Sequence, residues 1–294
     1  MGRGSTMLLT MCLAALACGT AMADGTMDLP LPPEIVRPYL RTEPVAAVPK
    51  SLEKVFDKGG RYEPRIRAVG RLGTGLDGEG VAAILGFLRR RVEEDTLSPL
   101  QLNAIKNNLC NALMRQEPPP SEFGLHLAAM FYDRSFDPVW RDYCLQFLGR
   151  WYPHAQGDEE RAAVAKALWD ATLETDAGLA GTALIALGNL ADEPGIGRRK
   201  VMDAALEIAT NGKAADLSRI TAVQVCARLE DRRILPFARE LADDGTAGVP
   251  LRVSAVGAIG LLGTPADIAG LEALAAKGDS RLAVAAQAAV KRLR

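Results

Sequence analysis

Residues 250–263 read PLRVSAVGAIGLLG. Val253, Val256 and Ile259 recur at the spacing of one helix face, and Ala255 and Gly257 between them keep the helix slim enough for a neighbour to approach closely. Pro250 suits a first helical turn, where its missing N–H had no partner to lose, and Arg252 follows it. The segment closes on Leu262-Gly263. The same closing pair, or a variant of it, returns at Leu72-Gly73, Leu113-Met114, Leu148-Gly149, Leu187-Gly188, Leu229-Glu230 and Leu293-Arg294, at intervals of 31 to 42 residues. Openings repeat too: Pro64-Arg65, Pro138 to Arg141, Asp216 to Arg219 and Asp279 to Arg281 each set a proline or an acid ahead of a base. A period of this length marks a stacked array in which each unit shelters its apolar side on the next.

Between these helices a second set is expected over residues 80–92, 120–132, 158–173, 199–211, 232–243 and 265–276. No run of alternating β-branched residues interrupts them, so no sheet is expected. The run from Pro250 and Arg252 through Ala255, Ala258 and Ile259 to Leu262-Gly263 resembles the HEAT repeat in its short bacterial, phycobilin-lyase-like form. The resemblance extends over residues 60–294. It implies an all-α right-handed superhelix, a HEAT-like solenoid over 51–294 in which helical pairs are followed by one terminal helix. That family includes scaffolds, carriers and a few enzymes, so what it implies is a shape rather than a reaction.

Gly73-Thr74-Gly75-Leu76-Asp77-Gly78 has the G-x-G-x-x-G spacing of a dinucleotide loop. Such a loop leaves a strand. Here the glycines leave one helical segment, RIRAVGRL, and enter another, VAAILGFLRR, so they are read as a turn, with Gly73 in the left-handed conformation that ends many helices.

The first 23 residues carry Arg3, an apolar core from Met7 to Ala17 and the small-x-small site Ala21-Met22-Ala23, the arrangement of an export signal. A second reading acylates Cys18, in Ala15-Leu16-Ala17-Cys18-Gly19, which resembles the lipobox of bacterial lipoproteins. Either way the chain is expected in the bacterial periplasm or lipid-anchored at an envelope membrane. No membrane span is expected, because no later segment offers the ~20 apolar residues that crossing needs. Residues 24–50 hold six of the 17 prolines and are read as an extended tether. With 35 basic and 36 acidic residues the net charge is −1, which gives no long-range pull toward nucleic acid.

Cys110, Cys144 and Cys226 are widely spaced in apolar helical stretches, so buried thiols are expected, with a Cys110–Cys144 bridge as the alternative. Neither His126 nor His154 is followed by the glutamate of the His-Glu pairs with which some HEAT-like enzymes hold iron. No acid or cysteine stands at ligand spacing beside them, and no G-x-S-x-G occurs. No catalytic residue, metal or cofactor is therefore expected, and the chain is read as not an enzyme.

Two features are candidates for binding a partner. Residues 123–152 hold nine of the 15 aromatics, and Trp140, Tyr143, Phe147 and Trp151 form one helical stripe. A thick core and an exposed patch both account for it. In the second case Tyr132, Trp140, Tyr143, Trp151, Tyr152 and His154 would meet a partner, with Tyr132, Trp151, Tyr152 and His154, near element ends, at the surface. Arg198, Arg199, Lys200, Arg232 and Arg233 stand at helix starts, where cations oppose the helix dipole. They are read as solvated charge or as a ridge facing an anionic partner. The leading expectation is a non-catalytic protein-interaction or scaffold module that grips a protein segment along its second helices. The alternative is a ligand-binding or metal-dependent enzyme or carrier using the aromatic region 123–154.

Overall fold

The computed structural model describes residues 30–41, 48–175, 178–277 and 279–294, and every regular element among them is helical. The α-helices are α1 (Glu53–Phe56), α2 (Tyr62–Val69), α3 (Gly78–Leu88), α4 (Pro99–Met114), α5 (Phe123–Tyr132), α6 (Pro138–Trp151) and α7 (Gly157–Ala171). They continue as α8 (Leu179–Asn189), α9 (Arg198–Thr210), α10 (Asp216–Arg228), α11 (Leu235–Asp243), α12 (Val249–Leu262), α13 (Ile268–Lys277) and α14 (Ser280–Leu293). Local chemistry sets several starts. Ser98 and Gln101 exchange side-chain and backbone hydrogen bonds at the head of α4, while Asp77 and Asp137 accept from Gly80 N (2.8 Å) and Trp140 N (3.0 Å) to begin α3 and α6.

The even-numbered helices touch in succession, from α2 on α4 to α12 on α14, and form one layer. Of the odd-numbered helices only α5 and α7 pack extensively on each other. Each odd helix packs on the even helix that follows it, most closely α9 on α10, α11 on α12 and α13 on α14, and makes less contact with the one before. The unit therefore runs odd then even. The second set expected from the sequence comes first in each unit, and the closing Leu-Gly ends it.

The recurring arginines show what holds a unit together. Arg65 Nε donates to Val55 O (2.9 Å), Arg141 Nε to Phe131 O (2.7 Å), Arg219 Nε to Ala209 O (3.3 Å) and Arg252 Nε to Ala242 O (3.0 Å), each 10 residues back. Those carbonyls lie in the last turn of the preceding odd helix, where the ladder leaves them without a partner. The guanidinium supplies the missing donor and sets a cation at the negative end of the helix dipole.

Small residues draw the even layer tight. A Cβ on Gly149 would lie 2.6 Å from Ala186 Cβ, and one on Gly260 would lie 2.7 Å from Ala289 Cβ and 2.9 Å from its Cα. These close approaches set the even helices of successive units directly against one another. Gly260→Val is expected to push α12 off α14 and lower stability by about 1–3 kcal/mol, read in a thermal melt; an unchanged melt would show that the contact is not tight.

The amino-terminal segment departs from the extended tether expected over 24–50. Glu34–Leu40 is a 3-10 helix seated on α5 and α7, with Val36 fully buried as its anchor. Residues 1–23, including Cys18 and the export signal, lie outside the described residues. The 73–78 turn also differs in detail. Gly73 is not left-handed; α2 stops at Val69, and Gln116 pins the loop by accepting from Leu76 N (3.0 Å) and donating to Gly73 O (3.0 Å).

Candidate functional site

The aromatic stripe is core. Trp140 and Trp151 are fully buried and Tyr152 is 1% exposed, which corrects the expectation that Trp151 and Tyr152 stand at the surface. The reason is the position of α6, which touches α4, α5, α7 and α8 and so has no apolar stripe to spare. Trp151 Nε1 donates to Glu160 Oε1 (2.9 Å), and the Tyr152 hydroxyl donates to Pro194 O. Tyr132 is half-buried with its hydroxyl on Asp170 Oδ2 (2.6 Å), and Tyr143 packs partly buried against the core. Of the six residues, His154 alone is exposed.

The bases at the odd-helix starts are engaged locally. Arg198 holds Asp192 with two hydrogen bonds (2.9 and 3.1 Å), and Arg199 pairs with Asp203 (3.1 Å). Arg233 bridges Asp231 (2.7 Å) and Asp203 (2.6 Å). Arg232 Nη2 donates to Leu262 O (2.9 Å) at the end of α12, and Lys200 Nζ sits 4.0 Å from the Trp169 ring centroid. Exposed pairs of this kind contribute little stability, but Asp192, Asp203 and Asp231 offset three of the five charges. Lys200 and Arg232 keep their charge, one over a ring and the other on a carbonyl.

The opposite layer has the character expected of a binding face. Among the described residues nine large hydrophobic side chains are exposed, and six of them stand on even helices: Leu100, Val139, Ile185, Leu217, Leu261 and Val284. None stands on an odd helix. Between them lie exposed amides, Asn108, Gln146, Asn189 and Gln224. Amides offer both donors and acceptors, which is what a peptide backbone needs. Two arginines on this face are held by the layer itself: Arg150 Nη1 donates to Asn111 Oδ1 (2.9 Å) and Arg228 Nη1 to Asn189 Oδ1 (2.6 Å), each across 39 residues. The sequence periodicity contained this pattern, but only the layer assignment shows that the six apolar residues share a side.

Cys110, Cys144 and Cys226 are buried free thiols, all pushed up by burial, Cys226 to about 12. His126 is held down to about 4, first by burial and then by the Arg89 guanidinium, so its imidazole is neutral. Among the described residues no three His, Cys, Asp or Glu side chains gather as metal ligands.

Comparison with protein-family models and with curated proteins gives no match. Among solved structures, the chain is similar to human deoxyhypusine hydroxylase in complex with glycerol, with 17% sequence identity over 83% of this chain and 94% of that one, at a TM-score of 0.32. The expectation that this chain is not an enzyme is withdrawn, because the similar structure is itself that of a hydroxylase. At this degree of similarity the hydroxylase activity stays with that protein. The all-helical repeat architecture rests on the helices described above.

Proposed function

We propose that this helical-repeat protein binds an extended, largely uncharged protein segment along its even-helix face. The observation that carries the reading is the confinement of helix-borne exposed large hydrophobics to that layer. A layer that exposes both apolar side chains and amides suits a peptide whose apolar residues dock while its backbone pairs with the amides. The odd face, rich in paired charge, suits solvent. This moves the binding face from the odd-numbered helices, the second set expected from the sequence, to the even-numbered ones. The export signal read in residues 1–23 supports a role in the bacterial envelope, with release or a Cys18 lipid anchor both compatible with the face.

Selection of displayed peptides on the purified chain is expected to enrich uncharged sequences rich in apolar residues. Combining Ile185→Asp, Leu217→Asp and Leu261→Asp is expected to weaken a selected peptide by about a hundredfold, the ratio that corresponds to ~3 kcal/mol of lost apolar contact. Because these side chains are 42 to 59% exposed, the melt should shift far less than for a core substitution. Undiminished binding by the triple variant would sink the reading.

A further inference from the structure

Arg228, near the end of α10, is a cation without a counter-charge. Its guanidinium reaches across to α8, where Nη1 donates to Asn189 Oδ1 (2.6 Å) and Nη2 lies 3.5 Å from Ile185 O. Gly188 allows that reach, because a Cβ there would run into Nη2. Ile185 stands one turn before Asn189 on the same face of α8, and its side chain is exposed. A guanidinium, an amide and an apolar side chain thus meet at one spot on the even layer. Asn189 accepts at Oδ1, which leaves its Nδ2 to donate outward, and the guanidinium has five N–H groups of which these contacts use two.

Both partners of Arg228 are neutral. Burial lowers its guanidinium, and among the described residues no acid raises it again. The acids in the loops after α8 and α10 are engaged elsewhere: Asp192 and Glu230 act on Arg198, Asp231 holds Arg233, and Glu193 acts on Tyr152. Helix α8 contains no acid, and the acid of α10, Asp216, pairs with Arg219 at the far end. Arg150, held by Asn111 in the same way, also rests 5.0 Å from the Phe147 ring centroid, so a ring face meets part of its charge. Arg228 has no such ring.

We infer that Arg228 and Asn189 clamp the free carboxylate at the C-terminus of the bound segment, with the side chain of its last residue against Ile185; the inference rests on the reading of the even layer as a peptide-binding face. A carboxylate offers two accepting oxygens to a guanidinium and an amide N–H held side by side. A segment without acidic side chains has one carboxylate to give, the one at its end. That carboxylate is bonded to the carbon that bears the last side chain, so the anion and an apolar group arrive at Arg228 and Ile185 together. An acidic side chain would instead put the charge at the tip of the group that should be apolar.

The purified full chain is offered two pools of short N-acetylated peptides built from Leu, Ile, Val, Ala, Ser and Gln, identical except that one ends in a carboxylate and the other in a carboxamide. Retention of the carboxylate pool is expected to be about tenfold stronger, as one charge-assisted hydrogen bond would make it, and the preference should shrink as salt rises. Arg228→Gln, checked for intact helicity by circular dichroism, should bring the carboxylate pool down to the level of the carboxamide pool and leave the latter where it was. Arg228→Lys keeps the charge without the fork and should retain part of the preference. Arg150→Gln should retain all of it. Equal retention of the two pools, lost on combining Leu217→Asp with Leu261→Asp, would overturn the clamp and leave the face standing. A preference that Arg228→Gln does not touch would overturn the clamp as well, and retention of neither pool would overturn clamp and face together.

Discussion

Asp95→Ala is expected to lower stability by about 3–5 kcal/mol, the range found when one partner of a buried ion pair is removed. The Asp95 side chain is fully enclosed and receives Arg65 through both oxygens (2.7 and 2.8 Å) and Arg90 Nη1 at 2.8 Å. Arg65 is 1% exposed, and Arg90 also stacks 4.3 Å from the Phe87 ring centroid. Without the carboxylate two guanidiniums face each other in a site that water barely reaches. Burial pushes the Asp95 carboxyl up, but hydrogen bonds from Arg65 and Arg90 more than reverse this and hold it down to about 2. A carboxyl whose folded value is depressed contributes stability that is complete above its ordinary value near 4 and is lost as pH falls through about 2. Urea unfolding at neutral pH, repeated down the acid range, should therefore show a slope below about pH 4 that Asp95→Asn diminishes.

Because each unit contacts only its neighbours, the damage should stay local. Hydrogen exchange should accelerate first in α1 to α3, with α12 to α14 unaffected. A loss under 1 kcal/mol, or uniform acceleration, would contradict the role assigned to this pair.

Trp151→Ala is expected to cost about 3–5 kcal/mol as well, by a different route. The indole is fully buried, meets the Phe123 ring edge-on at 5.3 Å and donates to Glu160. Gly124 makes room for it: a Cβ there would stand 2.4 Å from Trp151 Cδ1. Truncation leaves a void between α5 and α6 and takes one partner from Glu160, which keeps only its bond from Gln156 N (2.6 Å). Trp151→Phe keeps most of the volume and loses the N–H, so it should cost about 1–2 kcal/mol. If Trp151 lined a partner-binding patch, the alanine variant would melt like the parent. The melting curve therefore separates core from surface without any partner in hand.

The two outcomes for Trp151 mark how far sequence carries. Apolar spacing of 3.6 and the 31-to-42-residue rhythm located helices such as α5, α9 and α13 within a few residues, because both are properties of a single helix and its repeat. The Pro-to-Arg openings marked the starts of even helices for the same reason. Which side of a helix meets which neighbour is another matter. The stripe of Trp140, Tyr143, Phe147 and Trp151 looks alike whether α6 is enclosed by four helices or displays it to a partner, and only the packing decides that it is enclosed. Likewise Arg233 reads as a free base until the fold brings Asp203, 30 residues away, to its guanidinium. The sequence by itself determined the helices and their period, which depend on neighbours along the chain. The tertiary structure decided which faces are buried, which charges are paired and which side carries exposed apolar residues, because burial and ion pairing depend on groups that come together only when units stack.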